Sequence, residues 1–134
     1  MGSSEIHFIP DKRLVIIRRI GDVDLDELLR GVGTMFDDPR IADSDYVLSD
    51  LRDARLTVSG DEMNEHAEFC RQRFEGRDTK IAIVAGQEID YAKARMFEQL
   101  SELPLVTVFY ALGEAYAWFG LDYNPADCPS WESI

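Results

Sequence analysis

The chain has 134 residues, with 14 Lys and Arg against 26 Asp and Glu, a formal charge of −12. Its 46% hydrophobic and 30% charged content is that of one globular domain long enough to bury a core, and lies far from the composition of disordered chains. The acidic excess excludes sequence-independent nucleic-acid binding, which needs cations to neutralise phosphates, and opposes capture by anionic lipid head groups.

Residues 5–9 read as a short strand, 10–12 as a turn, and the β-branched run 13–20 as the hairpin partner of the first strand, ended by Gly21. Asp24 caps a helix, with Glu27 as the reciprocal half of a capping box, and Leu25, Leu28, Leu29, Val32 and Phe36 forming its apolar face. Gly31 and Gly33 each cost this helix about 1 kcal/mol relative to Ala, which points either to close backbone approach to a neighbour or to early fraying of the helix. A third strand is predicted over 46–51, followed by a polar loop at 52–55. Ser59 and Glu62 form a second capping box, opening a helix whose face carries Met63, Ala67, Cys70 and Phe74. The apolar run 80–85 reads as a central strand buried on both sides. Ile89, Ala92, Met96, Leu100 and Leu103 mark the buried face of a third helix, stopped by Pro104. The last strand spans 105–110, and the last helix 112–119, ended by Gly120.

The predicted fold is therefore α/β, with elements in the order ββαβαβαβα around a mixed five-stranded sheet whose first strand is antiparallel. One domain, 1–134, is expected, with its core at about 5–121 and a tail at 122–134. Nothing at the start reads as a signal peptide, and no apolar run approaches the roughly 18 residues of a membrane span, so a cytoplasmic, bacterial-type protein is expected. Cys70 and Cys128 form no Cys-x-x-Cys pair or Cys/His cluster, which implies neither a zinc site nor a disulfide framework.

Ligands of parallel sheets usually bind beyond the carboxyl ends of the strands, where Asp50, Arg52 and Asp53 are the ligand-edge candidates. Together with Asp22, Asp24, Glu88 and Asp90 at the same edge, these acids could hold Mg²⁺ as in a receiver domain, but such domains need a lysine at the end of the last strand, and no cation follows Arg95. Asp24 and Glu88 read as helix caps. The run from Gly31 to Phe36 lies in a helix and lacks the third glycine of a dinucleotide site. His7 falls in the edge strand, and His66 at the margin of an apolar stripe, half-buried. No catalytic residue, metal or cofactor is indicated, and the reading is non-enzymatic. Phe69 with Arg73, and Tyr91 with Arg95, point outward one turn apart as candidates for an interaction surface or for local cation–π pairs. Trp118 faces away from Leu112 and Tyr116 on an almost wholly apolar helix, and calls for cover by the tail, a second subunit or a lipid.

Three stretches resemble the SpoIIAA-like family, a branch of the STAS domain superfamily also described as STAS/CRAL-TRIO-like and largely of unknown function. They are Tyr46-Val47-Leu48-Ser49-Asp50-Leu51-Arg52-Asp53; Ile81-Ala82-Ile83-Val84-Ala85 followed by Asp90-Tyr91-Ala92-Lys93-Ala94-Arg95-Met96-Phe97; and Val108-Phe109 followed by Glu114-Ala115-Tyr116-Ala117-Trp118-Phe119-Gly120. The resemblance implies a mixed sheet wound as a β–α superhelix. The better-known STAS relatives are anti-sigma-factor antagonists switched by phosphorylation of a serine at a helix start. Laid on this chain from Asp50-Leu51, that serine falls on Ser59, a phosphorylation candidate, with Val58 in place of the family's acid and Gly60-Asp61 in place of the Ser-Gly that follows. The expected function is a non-enzymatic interaction or regulatory module, working as a homodimer built partly on the last helix. The resemblance to lipid-carrying CRAL-TRIO domains implies an alternative: binding of a small apolar ligand or lipid between the last two helices and the sheet, with peripheral, hydrophobic membrane contact.

Overall fold

A hairpin starts the fold. In the computed structural model, which describes residues 2–127, β1 (Ser3–Ile9) pairs antiparallel with β2 (Leu14–Val23). The 3₁₀ turn Pro10–Lys12 joins them. Pro10 presets the turn's φ, and Arg13 closes it in the left-handed region, its amide donating to the Pro10 carbonyl at 3.1 Å.

β3 (Tyr46–Leu56), β4 (Lys80–Ala85) and β5 (Val106–Phe109) then add in parallel, giving the strand order β1-β2-β3-β4-β5. Three crossovers of one hand place α1 (Leu25–Asp37), α3 (Gly60–Phe74) and α4 (Glu88–Ser101) on the same face of the sheet. The one-turn helix α2 (Pro39–Ala42) follows α1. Among the described residues, only the helix α5 (Leu112–Phe119) lies on the opposite face, over Leu14, Ile16, Leu48, Ala82 and Val84. The predicted order of elements and the antiparallel first strand are those observed, with α2 as an addition. The last two helices lie on opposite faces and enclose no space between them.

Both central strands run further than their sequence suggests. β2 passes through Gly21, which adopts φ 76° next to a register shift between Arg18 and Ile20. Residues 52–56 are strand and not loop: they pair with β2 as far as Val23↔Leu56, and burial alternates strictly from Asp53 to Leu56. β4 ends opposite Leu51, so the end of β3 has no strand on that side, and α4 substitutes for one. Asp90 Oδ1 accepts from the Leu56 amide at 2.9 Å, and Lys93 Nζ donates to the Leu56 carbonyl at 2.8 Å. Burying Asp90 turns the helix, so its inner face is Asp90, Ala94, Phe97 and Ser101. The predicted face was wrong at three positions: Ile89 is 63% exposed, Met96 is 40% exposed, and Ala92 is exposed too.

Trp118 is half-buried within the fold, against Phe109 and Phe119, with Lys80 Nζ 5.3 Å from its ring centroid. Of the cover expected from the tail, a second subunit or a lipid, Phe109, Phe119 and Lys80 supply part from within the fold. The chain then turns back at Pro125–Asp127, where Asp127 Oδ2 accepts from the Tyr116 hydroxyl at 2.9 Å and from Lys12 Nζ at 2.7 Å. Cys128 and the remainder of the tail lie outside the described residues. No helix among the described residues is long and apolar enough to cross a membrane.

Candidate functional site

Because β2 to β5 are parallel, their carboxyl ends share one edge of the sheet, and the helix starts at Asp24, Ser59, Gln87 and Ala111 line it. Asp24 Oδ1 accepts from the Glu27 amide, but the Glu27 side chain turns away to Ser4 and Arg30, so only half of the predicted capping box forms. At Ser59 both halves form: Oγ accepts from the Glu62 amide at 3.2 Å, and Glu62 Oε1 from the Ser59 amide at 2.9 Å. Glu88 is not a cap; Gln87 occupies that position and makes no side-chain cap bond.

The ligand-edge candidates are drawn into ion pairs. Asp50 is buried, and its Oδ1 accepts from the Arg52 amide at 3.0 Å and from Arg52 Nε at 3.1 Å. Burial raises the Asp50 pKa while Arg52 opposes the rise. Asp53 Oδ2 accepts from Arg18 Nη2 at 2.9 Å. Among the described residues, no group of three or more His, Cys, Asp or Glu side chains is placed to hold a metal ion.

The outward pairs separate. Arg73 lies over the Phe69 ring at 4.7 Å, the local cation–π arrangement, and Phe69 packs on the core. Tyr91 leaves Arg95, which pairs with Glu98 at 3.7 Å, and stacks on Tyr110 with centroids 4.1 Å apart and planes 4° from parallel. Tyr110 follows β5 and is 52% exposed. With Ile89 at the start of α4, the strand-end edge thus presents exposed apolar side chains at two helix starts. Tyr110 and Ile89 were missed because Tyr110 was assigned to the last strand, which ends one residue earlier at Phe109, and because Ile89 was assigned to the core.

A second constellation lies inside. Arg19 is 2% exposed. Its Nη1 donates to Ser4 Oγ at 2.8 Å and to the Glu27 carbonyl at 3.0 Å, and Nη2 to the Leu28 carbonyl at 3.3 Å. A Cβ on Gly31 would stand 2.3 Å from Nη1, so the close approach predicted for that glycine is to this guanidinium; Gly33 meets nothing within 4 Å. Burial lowers the Arg19 pKa to about 10, partly offset by Glu27. His66 is buried, not half-buried as predicted, and stacks obliquely on Phe97. Burial, then the charge of Arg19, lowers its pKa to about 3. Cys70, whose Sγ is 3.8 Å from His66 Nε2, is pushed up to about 12 by burial. The thiol is thus held in its protonated form, on the inner face where the sequence placed it. Arg19, His66 and Cys70 border an interior space of about 60 Å³ between the sheet and α1, α3 and α4.

No family model matches the chain, and no curated protein does. Several solved structures share its fold. One is an uncharacterized protein of the DUF3478 family with a SpoIIAA-like fold, from Shewanella loihica PV-4. It is 14% identical with a TM-score of 0.54, over 88% of this chain and 93% of that one. Another is the anti-sigma factor antagonist SpoIIAA in its unphosphorylated form, 10% identical with a TM-score of 0.51, over 86% and 94%. The fold of this chain is SpoIIAA-like.

Proposed function

We propose, taking the SpoIIAA-like fold as the premise, that the chain is a non-enzymatic STAS-like interaction module that docks a protein partner at the strand-end edge of its sheet. The supporting observation is the apolar pair Ile89 and Tyr110, 63% and 52% exposed, with Tyr110 braced by its stack on Tyr91. Rigid, half-exposed aromatic side chains are the usual anchors of protein interfaces. Exposed Glu88 and Glu114 flank these anchors in sequence, and the whole chain carries −12, so the fitting partner has an apolar centre and a cationic margin. The solved SpoIIAA is named an anti-sigma factor antagonist, which favours a regulatory protein as partner. The module works in the cytoplasm, without metal or cofactor.

Self-association belongs to the same reading, on this patch and no longer on α5, since Trp118 is partly covered from within. Light scattering of Ile89→Glu/Tyr110→Ser beside the wild type tests it: a dimer that becomes a monomer supports the patch. A wild type that stays monomeric removes the homodimer. Ser59 acts in this reading as a cap; a phosphate there would lie on the amino end of α3, where the helix dipole favours it.

One observation favours a second reading, a small-ligand binder: the interior space beside Arg19. At about 60 Å³ it is less than half of the roughly 150 Å³ that takes up benzene in an engineered cavity, so it suits a molecule of few atoms and not a lipid chain.

A further inference from the structure

The interior space is bordered almost entirely by apolar side chains, among them Ile17, Ala94 and Phe97, yet it holds one charged donor. Arg19 Nε is buried and has no hydrogen-bond partner among the described residues. Its charge is only partly neutralised, because Glu27, the nearest carboxylate at 4.0 Å, is shared with Arg30. A buried cationic donor without an acceptor is costly, and a neutral His66 beside it leaves the region positive.

We infer that this space is a binding site for a carboxylate of formate size, whose oxygen accepts from Arg19 Nε and whose C–H meets the apolar wall at Ala94 and Phe97. The anion would supply the acceptor that Nε lacks and the negative charge that the cluster lacks. Scaled from the six carbons of benzene in its larger cavity, the volume of about 60 Å³ admits roughly two to three heavy atoms, so butyrate is far too long. This inference stands apart from the docking surface, which it neither needs nor supports.

Titration of the intact chain with sodium formate, following the Arg19 Nε–H resonance by ¹⁵N–¹H spectroscopy, tests it. A saturating shift in the millimolar range is expected with formate, and none with butyrate or with formamide, the uncharged isostere. Arg19→Met removes hydrogen bonds that hold β2 to α1 and destabilises the fold, so Ala94→Val, which fills the space and keeps Arg19, is the decisive variant. Its melting temperature should stay near the wild type while formate affinity falls by roughly tenfold or more. No saturable shift in the wild type, an equal response to formamide, or an undiminished response in Ala94→Val would overturn the assignment and leave a water as the acceptor for Nε.

Discussion

Gly31 shows how one atom decides the sign of a substitution. Gly to Ala inside a helix ordinarily adds about 1 kcal/mol of stability. At Gly31 the new methyl would strike the Arg19 guanidinium, which is held by two carbonyls and Ser4 and has nowhere to retreat. We therefore expect Gly31→Ala to lose about 1–3 kcal/mol by breaking those bonds. Gly33→Ala, with open space, should gain up to about 1 kcal/mol, and urea denaturation of the two variants reads the contrast directly. The sequence suggested a close neighbour at these glycines, but could not say which glycine or which neighbour, since Arg19 lies in a strand six residues before the helix begins.

His66 ties the same cluster to pH. Its pKa falls from 6.5 to about 3 on folding, so the folded state keeps it neutral while the unfolded chain protonates it. The stability it contributes is complete above pH 6.5 and is lost as pH falls toward 3, at about 1.4 kcal/mol per pH unit within that window. His66→Gln should flatten the dependence of the urea midpoint on pH between those limits relative to the wild type. Parallel curves for the two proteins would show that the ring is not held neutral. Helical spacing placed His66 near the core margin, but the final burial depends on α4, which presses Phe97 against it.

At the scale of elements, local signals were sufficient wherever a helix start is self-contained. Ser59 and Glu62 close a complete capping box from four consecutive residues, and Ser59→Ala should cost about 1 kcal/mol of stability in thermal or urea unfolding. Ser59→Asp, also a good cap, should cost much less, and equal losses would remove the capping role. Periodicity failed where an element serves a neighbour's backbone. The end of β3 outruns β4, and α4 turns Asp90 inward to accept from Leu56, which throws Ile89 and Met96 outward. That rotation reflects a hydrogen-bond demand arising 34 residues earlier, which no hydrophobic pattern within α4 encodes. The charged run at 52–55 misled for a related reason: its alternation with Ala54 and Leu56 was of strand type, but its charges resembled a loop.

For the whole molecule, the order of elements and the direction of the first strand followed from the alternation of β-branched runs and amphipathic helices, because a right-handed crossover leaves few other topologies. The distribution of helices between the faces was less legible. Three helices share one face and shelter the Arg19 cluster, while the short α5 and the returning segment at Pro125–Asp127 cover the other. This arrangement explains why Trp118 finds part of its cover within the chain, and why the exposed apolar residues gather instead at the strand-end edge. The net charge of −12 then acts as a filter on that edge, turning away polyanions and favouring a partner with cations around an apolar contact.

The claim that this edge is the working surface is tested most directly by quantitative capture of proteins from source cells on the wild-type chain and on Ile89→Glu/Tyr110→Ser, after matching their melting temperatures. A partner should be retained by the wild type, with saturable affinity when purified, and lost by the variant at equal stability. Equal retention by both proteins, or no saturable partner for the wild type, would contradict it.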